Sequence, residues 1–184
     1  MRMAIRLLAI VVALVVSVTS TSWAQKGAVE LGADMVFEYS LTDNINGFDV
    51  DNVFQISVPV LAIRAGFFTS DALSIEPSLG FQLVNVDETL WAVQSVILVL
   101  YHFNSDPTQS RWFMAVGPSL LAAGGGGETA TQFGVIGEGG VKLPVAEKFA
   151  LRLGAGVGRF FENDDFVGSW DIFGRFGFSV FLGG

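Results

Sequence analysis

From Val29 to Tyr39 the chain alternates. Val29, Leu31, Ala33, Met35, Phe37 and Tyr39 occupy one parity, and Glu30, Gly32, Asp34, Val36 and Glu38 the other. Successive side chains of a strand point to opposite faces, whereas a helix would spread these residues around its circumference. The same period recurs along the chain. Phe54, Ile56, Val58 and Val60 oppose Gln55 and Ser57, and after Pro59 the parity changes, with Ile63, Ala65 and Phe67 opposing Arg64 and Gly66. One strand over Asn52–Phe68 with a bulge near Pro59 accounts for both halves, because proline cannot donate to a ladder. Two shorter strands are the alternative.

Further strands are predicted over Leu73–Leu83, Leu90–Phe103, Arg111–Ala122, Phe133–Leu143, Phe149–Phe160 and Ser169–Leu182. Leu90–Phe103 is apolar on both parities, so its facing is open. Turns are predicted at Thr69–Ala72, Asn104–Ser110 and Pro144–Lys148, and loops at Val86–Thr89, Gly124–Gln132 (flexible and glycine-rich) and Glu162–Gly168 (acidic). The result is about eight strands, long ones by the standard of soluble proteins, whose mean is about 5–6 residues. A tilted membrane-spanning strand needs about 9–11. The connections after the even strands read as turns and those after the odd strands as loops, the arrangement of an even-stranded barrel with both termini on the periplasmic side.

The chain has 184 residues, enough for one domain, and 51% of them are hydrophobic. Yet beyond the N-terminus no stretch is apolar for about 18 residues, the length of a spanning helix. That combination fits apolar residues distributed over alternate strand positions. The N-terminus reads as a secretory signal peptide: Arg2 and Arg6, an apolar run Leu7–Val16, and small residues at Ser22 and Ala24. Residues 1–24 are thus expected to be removed near Ala24, leaving 25–184 as the barrel domain. The chain has no cysteine, which excludes disulfides and thiolate metal sites, and its net charge of −8 argues against nucleic acid as a partner.

The polar parity decides which face points inward. It is rich in glycine (Gly32, Gly66, Gly80, Gly154, Gly156, Gly158) where a water-facing surface would carry lysine and glutamate. Small residues suit a narrow lumen. The charges on that parity are of both signs: Glu30, Asp34, Glu38, Glu76, Glu138 and Asp171 against Arg64, Lys142, Arg152 and Arg175. Buried charges have to be paired, so these ten are expected to form a structural charge network in the lumen. Aromatics fall toward strand ends, with Phe67, Tyr101, Phe103, Trp112, Phe149, Phe178 and Phe181 at the periplasmic end. Tyr39, Phe54, Trp91, Phe133, Phe160 and Trp170 fall at the outer end, as two interfacial girdles would require.

Together with segments such as Ala62–Leu83 (AIRAGFFTSDALSIEPSLGFQL) and Gly174–Leu182 (GRFGFSVFL), these features resemble the small outer-membrane β-barrel proteins, including the eight-stranded OmpA-like and OmpX-like barrels. The resemblance implies an all-β, closed, antiparallel up-and-down transmembrane barrel in a bacterial outer membrane. It also implies outer-membrane lipids and the barrel-insertion machinery as partners, and a monomer. Such barrels usually end on an aromatic residue that the machinery reads; here the chain ends Phe181-Leu182-Gly183-Gly184, which leaves Phe181 as the candidate.

Candidate chemistry is sparse. His102 is the only histidine, with Ser95 and Ser105 near it in sequence, and it reads as an interfacial or turn-facing residue. Gly124–Gly127 lacks the lysine and hydroxyl of a phosphate loop. Glu162, Asn163, Asp164 and Asp165 read as an acidic surface loop without a calcium-binding pattern. Glu30, Asp34 and Glu38 recur at every fourth residue, about 13 Å apart at about 3.3 Å per residue, too far for an acid–base dyad. No catalytic residue, cofactor site or metal site is expected. The expected function is non-enzymatic, a structural or surface-loop interaction role. The alternatives are a narrow channel or carrier for small hydrophobic solutes, and a lipid-modifying enzyme.

Overall fold

A computed structural model describes residues 26–42, 60–85, 89–104, 109–125 and 128–182. The strands are β1 (Val29–Thr42), β2 (Val60–Phe68), β3 (Leu73–Asn85), β4 (Thr89–His102), β5 (Arg111–Gly125), β6 (Glu128–Ala146), β7 (Phe149–Phe160) and β8 (Ser169–Leu182). They follow one another around a closed antiparallel barrel. The seam between first and last strand is continuous, from Val29 opposite Leu182 to Thr42 opposite Ser169. Pairing of the first strand with the last satisfies the backbone groups along that seam, a condition for a sheet to sit in lipid. The proposed bulge at Pro59 and the alternation over Asn52–Val58 lie outside the described residues, as does the girdle position of Phe54.

Burial is inverted relative to a water-soluble barrel. Met114 is 61% exposed and Leu61 57%, while Glu30 and Arg152 are wholly buried. Leu31, Ile63, Ile97, Val116 and Ile172 also face outward. This is a transmembrane barrel, with aliphatic side chains toward lipid and charges within.

Several element limits differ from the sequence reading. The glycine-rich stretch expected to be a loop is ladder: Ala123 pairs Ala130, Gly124 pairs Thr129 and Gly125 pairs Glu128. The β-branched Thr129 and Thr131 extend the hairpin, and Gly124 opposite Thr129 does not interrupt it. Thr89, expected in a loop, opens β4 opposite Asn85. With these extensions the connections after β3 and β5 shrink to residues 86–88 and 126–127, so the contrast of long outer loops and short inner turns does not hold there. Pro144, expected in a turn, lies within β6; the ladder shifts register between Pro144 and Ala146. A proline is tolerated at such an irregularity because no N–H is required of it.

The open facing of β4 resolves with Val96, Leu98, Leu100 and His102 inside. These, with Phe113 and Ala115 of β5, make one wall of the lumen apolar, joined above by Val36, Ile136, Phe160 and Phe173. A second apolar cluster, Ala28, Phe68, Ala150 and Phe181, lies at the end where the chain enters and leaves the barrel. Phe160 and Phe181 therefore face inward, not into the girdles assigned from the sequence. They share parity with Arg152 and Ser179, and that parity overrides aromatic character. Outward aromatics do gather at the ends: Phe149 stacks on Phe178 at 5.8 Å, Tyr101 meets Phe103 edge-on at 5.2 Å, and Phe133 stacks on Phe161 at 5.9 Å.

Candidate functional site: the charged lumen

Strand register brings the charges together. Arg64 on β2 sits opposite Gly32 of β1, with Glu30 and Asp34 one inward position to either side. Its guanidinium occupies the space over Gly32, where a methyl group would lie 2.5 Å from Cζ. From there it donates through Nε to Asp34 Oδ2 at 2.9 Å, through Nη1 to Glu30 and, at 3.2 Å, to Glu76 Oε2, and through Nη2 to Ser179 Oγ at 2.6 Å. Nη2 also donates to the Phe178 carbonyl at 3.1 Å, so its five hydrogen bonds match its five N–H donors.

The same device repeats. Arg152 of β7 faces Gly177 of β8, and Arg175 of β8 faces Gly154 of β7. Glu138 of β6 faces Gly156, and Glu30 faces Gly66. Glu30 takes the space over Gly66, Glu138 that over Gly154 and Asp34 that over Gly177, while the Phe173 ring takes the space over Gly156. Arg152 pairs with Glu76 and, at 3.1 Å, with Glu138, and lies 4.6 Å above the Phe113 ring centroid. Lys142 joins Glu30 and, at 3.8 Å, Glu76. Arg175 bridges Asp34 at 3.2 Å and Glu138 at 3.4 Å. Four acids (Glu30, Asp34, Glu76, Glu138) and four bases (Arg64, Lys142, Arg152, Arg175) thus form one neutral, interlocked network.

The remaining two of the ten predicted residues are elsewhere. Glu38 and Asp171 point into the lumen nearer the loop end, against each other and outside that network. Among the described residues neither has an ion-pair partner. They line a cavity of about 360 Å³ together with Gln82, Gln94, Gln132 and Phe160. Sequence reasoning placed Glu38 and Asp171 in one network with the rest. It missed the glutamines, because an uncharged amide on a strand carries no signal of its own.

The sequence matches no protein-family model and no curated protein. Solved structures do match. Neisserial surface protein A superposes with a TM-score of 0.63 at 15% identity, over 84% of this chain and 98% of that one. For AlkL, an outer membrane protein solved in lipid bilayers, the values are 0.60 and 10%, over 90% and 94%. For the N-terminal β-barrel domain of Pseudomonas aeruginosa OprF they are 0.58 and 15%, over 87% and 100%. This chain has the fold of the small outer-membrane β-barrels.

Within this outer-membrane-type barrel, His102 is not interfacial. It is buried in the lumen with Nε2 3.0 Å from Ser74 Oγ, stacked on Phe68 at 5.2 Å. Its Nδ1 has no partner, so no carboxylate orients the ring as a hydrolytic triad would require. Ser95 belongs to the outward parity of β4, and Ser105 lies outside the described residues. Arg111, beside this layer, donates through Nη2 to the Asp71 carbonyl at 2.6 Å and through Nε to the Asn104 carbonyl at 2.8 Å, tying two turns together.

The acidic loop after β7 is ordered by Asn163. Its Oδ1 accepts from the Asp165 and Phe166 amides at 3.0 and 2.8 Å, and its Nδ2 donates to the Thr131 carbonyl at 2.6 Å. Gln132 Nε2 donates to the Phe161 and Val167 carbonyls at 3.2 and 2.9 Å, fixing the same loop against the cavity mouth. Among the described residues no group of three or more histidines or carboxylates could hold a metal ion.

Proposed function

We propose that this chain is an integral protein of a bacterial outer membrane, exported with a signal peptide cleaved near Ala24. It is non-enzymatic and non-conducting, and acts through what its loop end presents. The observation that carries this reading is the neutral eight-residue network, packed between the Phe68–Phe181 cluster and the apolar wall of β4 and β5. An ion crossing the lumen would have to separate pairs whose partners are already desolvated, and at the level of the network side chains fill the interior of the eight-stranded barrel. The outward aliphatic band and the end aromatics support residence among membrane lipids, and the unbroken β1–β8 seam supports a monomer. Ail, a Yersinia pestis attachment invasion locus protein, superposes with a TM-score of 0.55 at 8% identity, which fits a surface role on this scaffold.

Recording from the purified protein in planar bilayers tests the proposal. The expected trace stays at the lipid baseline. Discrete, reproducible openings would replace this reading with the narrow channel. Sedimentation of the full chain's processed form with the outer-membrane fraction is expected; recovery in the soluble periplasmic fraction would remove the premise.

A further inference from the structure

Four acids of the lumen, Glu30, Asp34, Glu76 and Glu138, hold the four bases of the network, and the further buried bases, Arg111 and Lys148, lie at the opposite end of the barrel. Glu38 and Asp171 are the surplus, and they are adjacent. Asp171 is only 4% exposed, and its Oδ1 is buried without a hydrogen-bond partner. The nearest network cation on its strand, Arg175, is held by Asp34 and Glu138. An unpaired buried carboxylate is costly, and native interiors rarely leave one without a counter-charge.

The glutamines around the pair sharpen its chemistry. Gln132 spends its amide N–H donors on the Phe161 and Val167 carbonyls, and Gln94 donates to Ser119 Oγ at 3.3 Å. The cup sets two carboxylates among amide and hydroxyl groups, Gln82, Ser40 and Ser169 included, beside the apolar Leu121 and Phe160. An ammonium group is the complement, with three donors and no acceptor. A bare metal ion fits less well, since about 360 Å³ is the size of a small-molecule pocket and part of its wall is apolar.

We propose that the loop-end cup of the lumen binds a small organic cation, its ammonium group between Glu38 and Asp171 and its apolar body against Leu121 and Phe160. The site goes beyond the sealed-barrel reading and does not depend on it, since it uses only the lumen above the network.

The test is titration of the purified full barrel, folded in detergent micelles, with phenethylamine, its neutral analogue 2-phenylethanol, and calcium, followed by amide NMR shifts. Phenethylamine is expected to bind saturably, shifting the amides of Asp171, Gln94 and Gln132, with the alcohol at least about tenfold weaker, as loss of a charge-assisted hydrogen bond implies. Asp171→Asn is expected to weaken the amine by about tenfold or more while the protein still runs as a heat-modifiable folded band. Leu121→Arg, which tethers a guanidinium beside Gln94, is expected to abolish binding and serves if Asp171→Asn does not fold. Equal binding of amine and alcohol overturns the proposal, as does a response to calcium alone. No response to any probe, the result for two carboxyls that share a proton, overturns it too. So does undiminished amine affinity in either folded variant.

Discussion

Replacing Arg152 by methionine removes one base from a sealed volume while keeping most of the aliphatic packing against Phe113. Glu76 keeps Arg64 at 3.2 Å and Lys142 at 3.8 Å, and Glu138 keeps Arg175 at 3.4 Å, so neither acid is orphaned. The interior nonetheless acquires an excess negative charge. Breaking one side of a buried pair costs about 3–5 kcal/mol, and the partners that remain place Arg152→Met near the lower figure. Glu76→Gln leaves the opposite excess, among Arg64, Lys142 and Arg152, at about the same cost. The double variant restores balance, three acids to three bases, each still in contact with a partner. Its cost is therefore expected near 2 kcal/mol against a sum near 6, a coupling of several kcal/mol, as close desolvated charge pairs give. Urea unfolding of the barrel in lipid vesicles, followed by tryptophan fluorescence, measures all four corners; equal m-values are required for the comparison. If the double variant loses the sum of the singles within about 0.5 kcal/mol, the two residues act independently. The lumen would then be wet enough to screen them, and the sealed network would be wrong.

Other perturbations address the remaining parts of the fold. Ile97, which faces outward opposite Pro77, is expected to lose about 2–4 kcal/mol on change to arginine if it meets the bilayer core; an unchanged unfolding curve in vesicles would place that face in water. Phe181→Ala is expected to cost about 3–5 kcal/mol by emptying the cluster with Phe68. If that variant instead unfolds normally once assembled but inserts slowly, Phe181 serves biogenesis more than packing.

The strand pattern was legible wherever the two faces differ. Val29–Tyr39 separates acids from aliphatics at every step, and its facing follows directly. Leu90–Phe103 does not, because the lumen wall it supplies is itself apolar, and periodicity is blind when both environments favour leucine. Gly124–Gln132 misled for the opposite reason: glycine is a turn residue on average, and only pairing with Thr129 and Thr131 shows the ladder continuing. Of the charged residues, parity identified which side chains share a face, but not which of them meet. That depends on register between strands distant in sequence, as where Lys142 of β6 reaches Glu30 of β1. The cup stayed hidden because it is defined by two acids left over, a property of the completed pairing.

The pairing also has a consequence for the order of assembly. Asp34 and Glu30 belong to the first strand, Arg175 and Ser179 to the last, and each pair is in contact across the seam, Ser179 Oγ lying 2.6 Å from Glu30 Oε1. Until the two ends of the chain meet, the lumen face of the first two strands carries Glu30, Asp34 and Glu38 against Arg64, three acids for one base. On the final strand Arg175 has Glu138 of β6 but not Asp34. An unclosed sheet is therefore both open-edged and electrically unbalanced, and one event cures both defects. The ion pairs act as a latch on the last step of folding, so that a barrel able to shed its surrounding water is one whose ends have already found each other.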